Sequence, residues 1–498
     1  MNVNPITRLD YPDPDVIRVE DTYYMVSTTM HFMPGCEILQ SFDLVHWEHV
    51  TYVYETLDHT DAQQLKSGQN IYGQGMWAAS LRYHEGRFYI CFVANDTRKT
   101  YLYTSEKIDG PWKKQLIEGF YHDGSLLFDE DGRSYIVYGN DEIWITELNE
   151  DLTAPKKDGL HRLLVSDHKN PELGYEGSHI QKINGYYYIF LIHSLRDRWM
   201  RTEACFYSDS LEGEFTGGDV LCDDRGYCGQ GVAQGGIVDT PDGKWYAMPF
   251  QDSGAVGRIP ILVPVTWKDH FPVFGQNGHV PEEIEVHSTR PGYIYQPLVG
   301  SDDFCNGLLP RWQFNHDPDP RYYHLDALQG TYTITTREVC TELTQAVNTL
   351  TQRMSYPSCA AEVTVDASAL KEGDVAGLCA LQGCYAAVGI TKHHGKYEVL
   401  MLDKKEDGIL DMTEGTVVES HQMDFRLEAD FCNMKDEARC YYRVNKGDWL
   451  PIGTVHKLYF KLDHFTGCRF GLFCYAAEET GGSACFRDFK YYDVDEIS

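Results

Sequence analysis

The chain has 498 residues, more than one ordinary domain needs at roughly 100–200 residues each. Basic side chains number 43 and acidic ones 75, a formal net charge of −32 that repels phosphate backbones and anionic head groups, so no nucleic acid and no membrane is expected as a partner. Hydrophobic residues at 42% and aromatic ones at 13% exclude disorder, and nowhere do the ~18 apolar residues of a membrane span run together.

The opening MNVNPITRLDYPDPDVIRV has no basic n-region and no apolar h-region, so a cytoplasmic protein is expected. Strand signals then dominate: short aromatic and β-branched runs bounded by Gly, Asp and Asn. One turn followed by an aromatic strand recurs as EDTYYMVS, EGRFYICF, DGRSYIVY, NGYYYIFL and DGKWYAMPF. Its marker tyrosines, Tyr24, Tyr89, Tyr135, Tyr188 and Tyr246, lie 65, 46, 53 and 58 residues apart, about one four-stranded sheet with loops per interval. Five such copies predict a five-bladed β-propeller over residues 1–292.

Stepping 11 residues back from Tyr24 gives Asp13, and 12 back from the other markers gives Trp77, Asp123, Glu176 and Gln234. Equivalent positions in a propeller share one depth around one axis, so these five should face one pocket. Any one of them has a plainer explanation. An Asp beside Pro is usually a turn former, as Asp21, Asp129, Asp131 and Asp242 are taken to be, and a Trp is usually core. Register across the repeats favours function, because three crowded carboxylates raise one another's pKa and cost stability. An acid, a base and an aromatic platform suit sugar chemistry: one carboxyl protonates the glycosidic oxygen while the other activates water on the opposite face. Trp77 would stack on the sugar, and Arg258 in GRIPILVPVTW is the candidate cation.

After PVFGQNGHVPEEIEVHSTRPGYIYQP the repeat stops, and residues 275–300 read as a linker. From 301 to 498, alternating runs such as TYTITT, YEVLML, KLYFKL and ACFRDFKYYDV predict a two-sheet sandwich. Ten of the 15 cysteines lie there; with an odd total, irregular spacing and no CxxC pair, they read as free thiols, not disulfides or zinc ligands.

Taken together, these motifs make the chain resemble glycoside hydrolase family 43, the five-bladed β-xylosidases and α-L-arabinofuranosidases, over nearly its full length. The resemblance implies that Asp13, in PDP, is the general base, Asp123 the residue that modulates the acid's pKa, and Glu176, in YEGSHIQKI, the general acid. It also implies a concanavalin-like C-terminal sandwich, one loop of which closes the site; EETGGSA at 478–484 is the expected loop. Where many members carry a channel histidine near an ion this chain has Gln234, expected instead to bind substrate, so no cofactor is required, though the resemblance leaves room for a structural calcium. PDPD in place of PDPS puts Asp15 two residues from the base, where strand alternation is expected to turn it aside. The expected activity is exo-acting, inverting release of terminal β-1,4-xylose or α-L-arabinofuranose, with xylo-oligosaccharides or arabinoxylo-oligosaccharides as substrates and room for a homo-oligomer. A retaining fructosidase would need a WMNDPNG-like segment that is absent. A non-catalytic sugar-binding propeller leaves the three carboxylates unexplained.

Overall fold

The computed structural model describes residues 3–493. The outermost expected domain bounds, 1 and 498, lie outside the described residues. The architecture is all-β. Helix among the described residues is confined to three 3₁₀ turns, Lys66–Gly68, Leu343–Gln345 and Cys432–Met434.

Four blades are antiparallel four-stranded sheets built from consecutive strands, apart from the two-residue excursion in blade 1 described below. Their inner strands are Asp15–Val19, Met76–His84, Ser125–Phe128 and Glu176–Ile183. The fifth blade divides. Ile237–Asp239, Trp245–Ala247, Val263–Lys268 and Phe271–Phe274 form its main sheet. A three-stranded sheet of Val232–Ala233, Phe250–Asp252 and Arg258–Pro260 stands beside it and carries the predicted arginine. The hydrophobic core lies between blades: Val26, Ile38, Leu81, Ile90 and Phe92 fill the gap between the first two, and Val137, Ile145, Ile180 and Leu191 that between the third and fourth. Each sheet has two apolar faces because each is covered on both sides.

The chain start closes the ring. Asn4 Nδ2 donates to the Leu262 carbonyl and Asn4 Oδ1 accepts from the Leu262 amide, both at 2.8 Å, while the Tyr11 amide donates to the Arg258 carbonyl at 2.9 Å. The segment read as a linker is tied down as well. Arg290 pairs with Asp21 at 2.8 Å and covers the Phe42 ring, and the Tyr293 and Tyr295 hydroxyls bond Glu48 and the Phe42 amide. Its Pro and Gly punctuation marks the end of the repeat, but aromatic residues fasten it to blade 1.

The sandwich has a nine-stranded and a seven-stranded sheet, with Trp312, Leu350, Val363, Leu378, Val388, Phe425 and Phe486 among the core residues between them. Its larger sheet takes one strand from the propeller: Phe32–Met33, part of blade 1's sequence, pairs with Phe314 and Asn315. At the same border Arg353 binds Glu37 at 2.8 Å, both fully buried. All 15 cysteines are free, and ten of them are buried. No helix of the described residues is long and apolar enough to cross a membrane.

Candidate active site

Strand pairing refines the register read from the sequence. Across each inner hairpin the marker tyrosines pair with Ile17, Arg82, Leu127, Gln181 and Val238. Four positions upstream of these stand Asp13, Ala78, Asp123, Gly177 and Gln234. All five have left-handed backbones, with φ of 51°, 35°, 48°, 65° and 65°. The repeated unit at the channel mouth is therefore a left-handed turn that breaks the inner strand. Trp77 and Glu176 stand one residue earlier than their expected equivalents, each beside a β-bulge at Trp77/Ser80 or Glu176/His179. Gly177 cannot be exchanged cheaply, since a Cβ there would fall 2.6 Å from Gln234 Cγ in addition to straining the backbone.

The structure brings all six predicted residues to one end of the channel. Asp13, 3% exposed, accepts at Oδ1 from Arg258 Nη1 and at Oδ2 from Thr28 Oγ1, both at 2.6 Å. Thr28 Oγ1 in turn accepts from the Ala78 amide at 2.8 Å, tying blade 1 to blade 2. Asp123 Oδ2 accepts from the Gly177 amide at 3.0 Å, so the blade of Asp123 is tied to that of Glu176. Trp77 packs edge-on to Phe465 at 5.0 Å and lies 6.5 Å from the His122 ring. Gln234 is placed by its backbone, whose amide donates to the buried Glu203 carboxyl, and its side chain packs over Gly177.

Four residues at the site were not found by sequence reasoning. His122 Nε2 lies 3.3 Å from Glu176 Oε2 and 3.5 Å from Asp123 Oδ2, and Asn140 Nδ2 donates to the same Glu176 oxygen at 2.6 Å. Asp252 lies between two arginines, 3.2 Å from Arg258 Nε and 3.0 Å from Arg201 Nε. His122 was the most accessible of these, because it immediately precedes Asp123. Asn140 and Arg201 come from second and third strands of their blades, which the repeat marker does not align.

These neighbours change the expected electrostatics. Burial raises Asp123 to about 6, with the Glu176 and Asp13 charges adding to it against the pull of His122. Burial also acts to raise Glu176, but the hydrogen bond and charge of His122, with Arg201 and Arg258, outweigh it and lower the group. Burial and neighbouring charge thus act to raise Asp123, while the His122 cation acts to lower Glu176. Burial would lower His122, yet Asp123 and then Glu176 raise it to about 9, so it is an imidazolium at neutral pH. Four carboxylates face three cations, and the crowding inferred from three carboxylates alone is largely neutralised.

Two further expectations are corrected. Asp15 is not turned aside: Asp13 stands on the left-handed turn before the strand, so strand alternation does not relate the two, and Asp15 is buried between blades, where it binds Arg82 Nη1 at 2.8 Å and His179 Nδ1 at 3.0 Å. His179, three residues after Glu176, is the buried histidine that meets Asp15. The loop at 478–484 stays on the sandwich, where Gly481 and Gly482 bond Thr336. The loop that reaches the site runs through His464, Phe465 and Gly467: the Phe465 ring lies 3.7 Å from the Arg258 guanidinium, and the Gly467 amide donates to Asp10 Oδ2 at 2.7 Å. Asp10 Oδ1 accepts from the Arg258 amide at 2.8 Å, joining cap and arginine through one buried carboxyl.

The oxygens around Asp15 in the channel are already held by a fixed cation. The Arg82 guanidinium crosses the channel, bonding Asp15, Ser125 Oγ at 2.7 Å and the carbonyls of Leu126 and Ile180. Those are the oxygens a hard cation would use, and a fixed cation already holds them. His122, Asp123 and Glu176 could present one ligand atom each within 4.8 Å, but the imidazole would first have to lose its proton.

A propeller with buried carboxyls, arginines and an indole at a mouth capped by a sandwich defines a sugar-cleaving enzyme. Residues 3–272 match glycosyl hydrolases family 43 and residues 301–492 match the beta xylosidase C-terminal concanavalin A-like domain; the chain belongs to glycoside hydrolase family 43. A beta-xylosidase of Formosa agariphila is 26% identical over 99% of this chain and 89% of its own. A xylosidase/arabinosidase of Butyrivibrio fibrisolvens is 24% identical over 99% of both. Among solved structures, a bifunctional GH43-CE of Bacteroides eggerthii is 42% identical with a TM-score of 0.92, covering 100% of this chain; the chain spans 64% of that longer one.

Proposed function

We propose that the protein is an exo-acting, inverting glycosidase that releases terminal pentoses, β-1,4-linked xylose or α-L-arabinofuranose, from xylan-derived oligosaccharides. The observation that carries this reading is the convergence of Asp13, Asp123 and Glu176 at one end of the channel, with Phe465 of the sandwich packed on both Trp77 and Arg258 at its border. A site walled in on that side favours a chain end. Asp13 acts as base: its two oxygens, held by Arg258 and Thr28, are fixed for drawing a proton from water. Glu176 acts as acid, with Oε2 engaged by Asn140 and His122 and Oε1 left for the glycosidic oxygen. Asp123 acts on Glu176 by its charge, so that the two carboxyls titrate as a pair. In one turnover Glu176 gives its proton to the leaving oxygen, water attacks the anomeric carbon from the opposite face, and Asp13 receives the water's proton. The names of the relatives, beta-xylosidase and xylosidase/arabinosidase, support a pentose substrate.

The test is product analysis on xylobiose and on an arabinofuranosyl-substituted xylo-oligosaccharide, with proton NMR of the first-formed anomer. Release of a monosaccharide of inverted configuration is expected, and the ratio of kcat/KM on the two substrates assigns the preferred sugar. Retained configuration, or internal cleavage into longer fragments, would refute the mechanism or the exo action respectively.

A further inference from the structure

His122 takes no direct part in the two-carboxyl mechanism, yet it is the residue that touches both Glu176 and Asp123. Its Nε2 lies 3.3 Å from one and 3.5 Å from the other, and its side chain is only 23% exposed. Asn140 Nδ2 reaches the same Glu176 oxygen at 2.6 Å. A carboxyl oxygen that accepts two donors has no room for its own proton, so a protonated Glu176 must carry it on Oε1. The groups facing the imidazole are Asp123 on its own turn, Glu176 from blade 4, Asp13 from blade 1, the neutral Asn140 from blade 3 and the Trp77 ring from blade 2. Arg201 and Arg258 act on Glu176 from behind.

We infer that His122 is a positioning residue for the acid: its N–H fixes Glu176 Oε2 as an acceptor so that Oε1 presents the proton, and its positive charge sets the pH at which the Glu176–Asp123 pair gives up its last proton. This rests on the reading of Glu176 as the acid. The proton leaves Oε1 for the glycosidic oxygen as that oxygen keeps the electron pair of the broken bond, and the resulting carboxylate is held by His122 and Asn140. With the cation in place the pair loses its last proton near the titration of Asp123, about 6. Without it, the two carboxyls lose the cation that touches both, keep only the arginines behind Glu176, and hold that proton to higher pH.

The experiment measures kcat/KM against pH on xylobiose and on a nitrophenyl xyloside for the wild type, His122→Gln and His122→Phe. Glutamine keeps a neutral donor and removes the charge, so the basic limb should move up by about one pH unit or more. Phenylalanine removes the donor too, and should show the same shift with a further loss of about tenfold on xylobiose that the aryl substrate escapes. A limb that stays put or moves down in His122→Gln overturns the charge role; equal behaviour of the two variants overturns the orienting role. If neither variant folds, histidine NMR of the wild type decides. One imidazole must remain charged at pH 8 and titrate lower in Glu176→Gln, and its absence overturns the inference. A wild type with no glycosidase activity at any pH would instead overturn the proposed function.

Discussion

Glu176→Gln separates the acid from the base most cleanly, and the structure says the substitution should be silent in the fold. Asn140 and His122 both donate to Oε2, so the amide oxygen takes that place and the amide nitrogen falls where Oε1 was, facing the pocket. What is lost is the proton. General acid catalysis supplies ~10²–10⁴-fold, or about 3–5 kcal/mol at 1.36 kcal/mol per decade. A sugar alkoxide leaving from xylobiose needs that proton fully, while a nitrophenolate leaves with little help. Glu176→Gln should therefore lose kcat/KM on xylobiose by ~10²-fold or more beyond its loss on the aryl xyloside. Asp13→Asn is the control. Its oxygen can keep Arg258 and its nitrogen can turn to Thr28, whose hydroxyl can accept, so the variant should also fold. It removes the activation of water, which both substrates need, and should lose similar factors on both. Steady-state kinetics with melting temperatures measured alongside decide the matter. Equal losses of the two variants on both substrates, in folded protein, would refute the roles given to Asp13 and Glu176.

Phe465→Ala should lower both stability and kcat/KM, because the ring is 3% exposed and covers Trp77 and Arg258; the loss of a buried Phe is about 3–5 kcal/mol, and unchanged kinetics would remove the cap from the site. A chain ending at residue 300 should not fold, since it leaves Glu37 without Arg353, Asp10 without Gly467 and the Phe32–Met33 strand unpaired; a soluble truncation with full kcat/KM would refute this. Activity should survive chelation, because Arg82 supplies the channel's positive charge, and loss in EDTA restored by calcium would reverse that reading. Stability should fall on the alkaline side. His122 is raised from 6.5 to about 9, so its contribution is complete below about 6.5 and is lost as pH rises through 9, at most about 3 kcal/mol. Chemical denaturation at pH 7 and pH 10 should show a larger drop for the wild type than for His122→Gln.

The ring of blades was legible because each inner hairpin repeats the same turn and aromatic strand, and a tyrosine at a fixed register position is a ruler that survives loops of unequal length. That ruler found Asp13, Asp123 and Gln234 at equivalent positions. It reached Trp77 and Glu176 only because they sit beside bulges one residue off, and a bulge is invisible to counting. Asn140, Arg201 and Asp252 were out of its reach, since they lie on strands whose lengths vary from blade to blade. Phe465 was illegible for another reason: a hydrophobic residue in a loop of the second domain carries no mark of the distant indole it covers.

The charge arrangement explains why the cap and the chemistry cannot be separated. Arg258 holds Asp13 and shares Asp252 with Arg201, and its backbone amide is held by Asp10. Asp10 is buried and raised to about 6, burial being the main cause, and its other oxygen takes the Gly467 amide from the sandwich. Burying a carboxyl this way is costly unless every donor is present. Withdrawing the sandwich loop would remove one of those donors, and the same loop carries the Phe465 ring that shields the Arg258 guanidinium from water. Solvent reaching that guanidinium would weaken its hold on Asp13, because a charge pair in high dielectric is worth a fraction of the same pair buried. The second domain therefore borders the site and also sets the dielectric in which Asp13, the proposed base, is held.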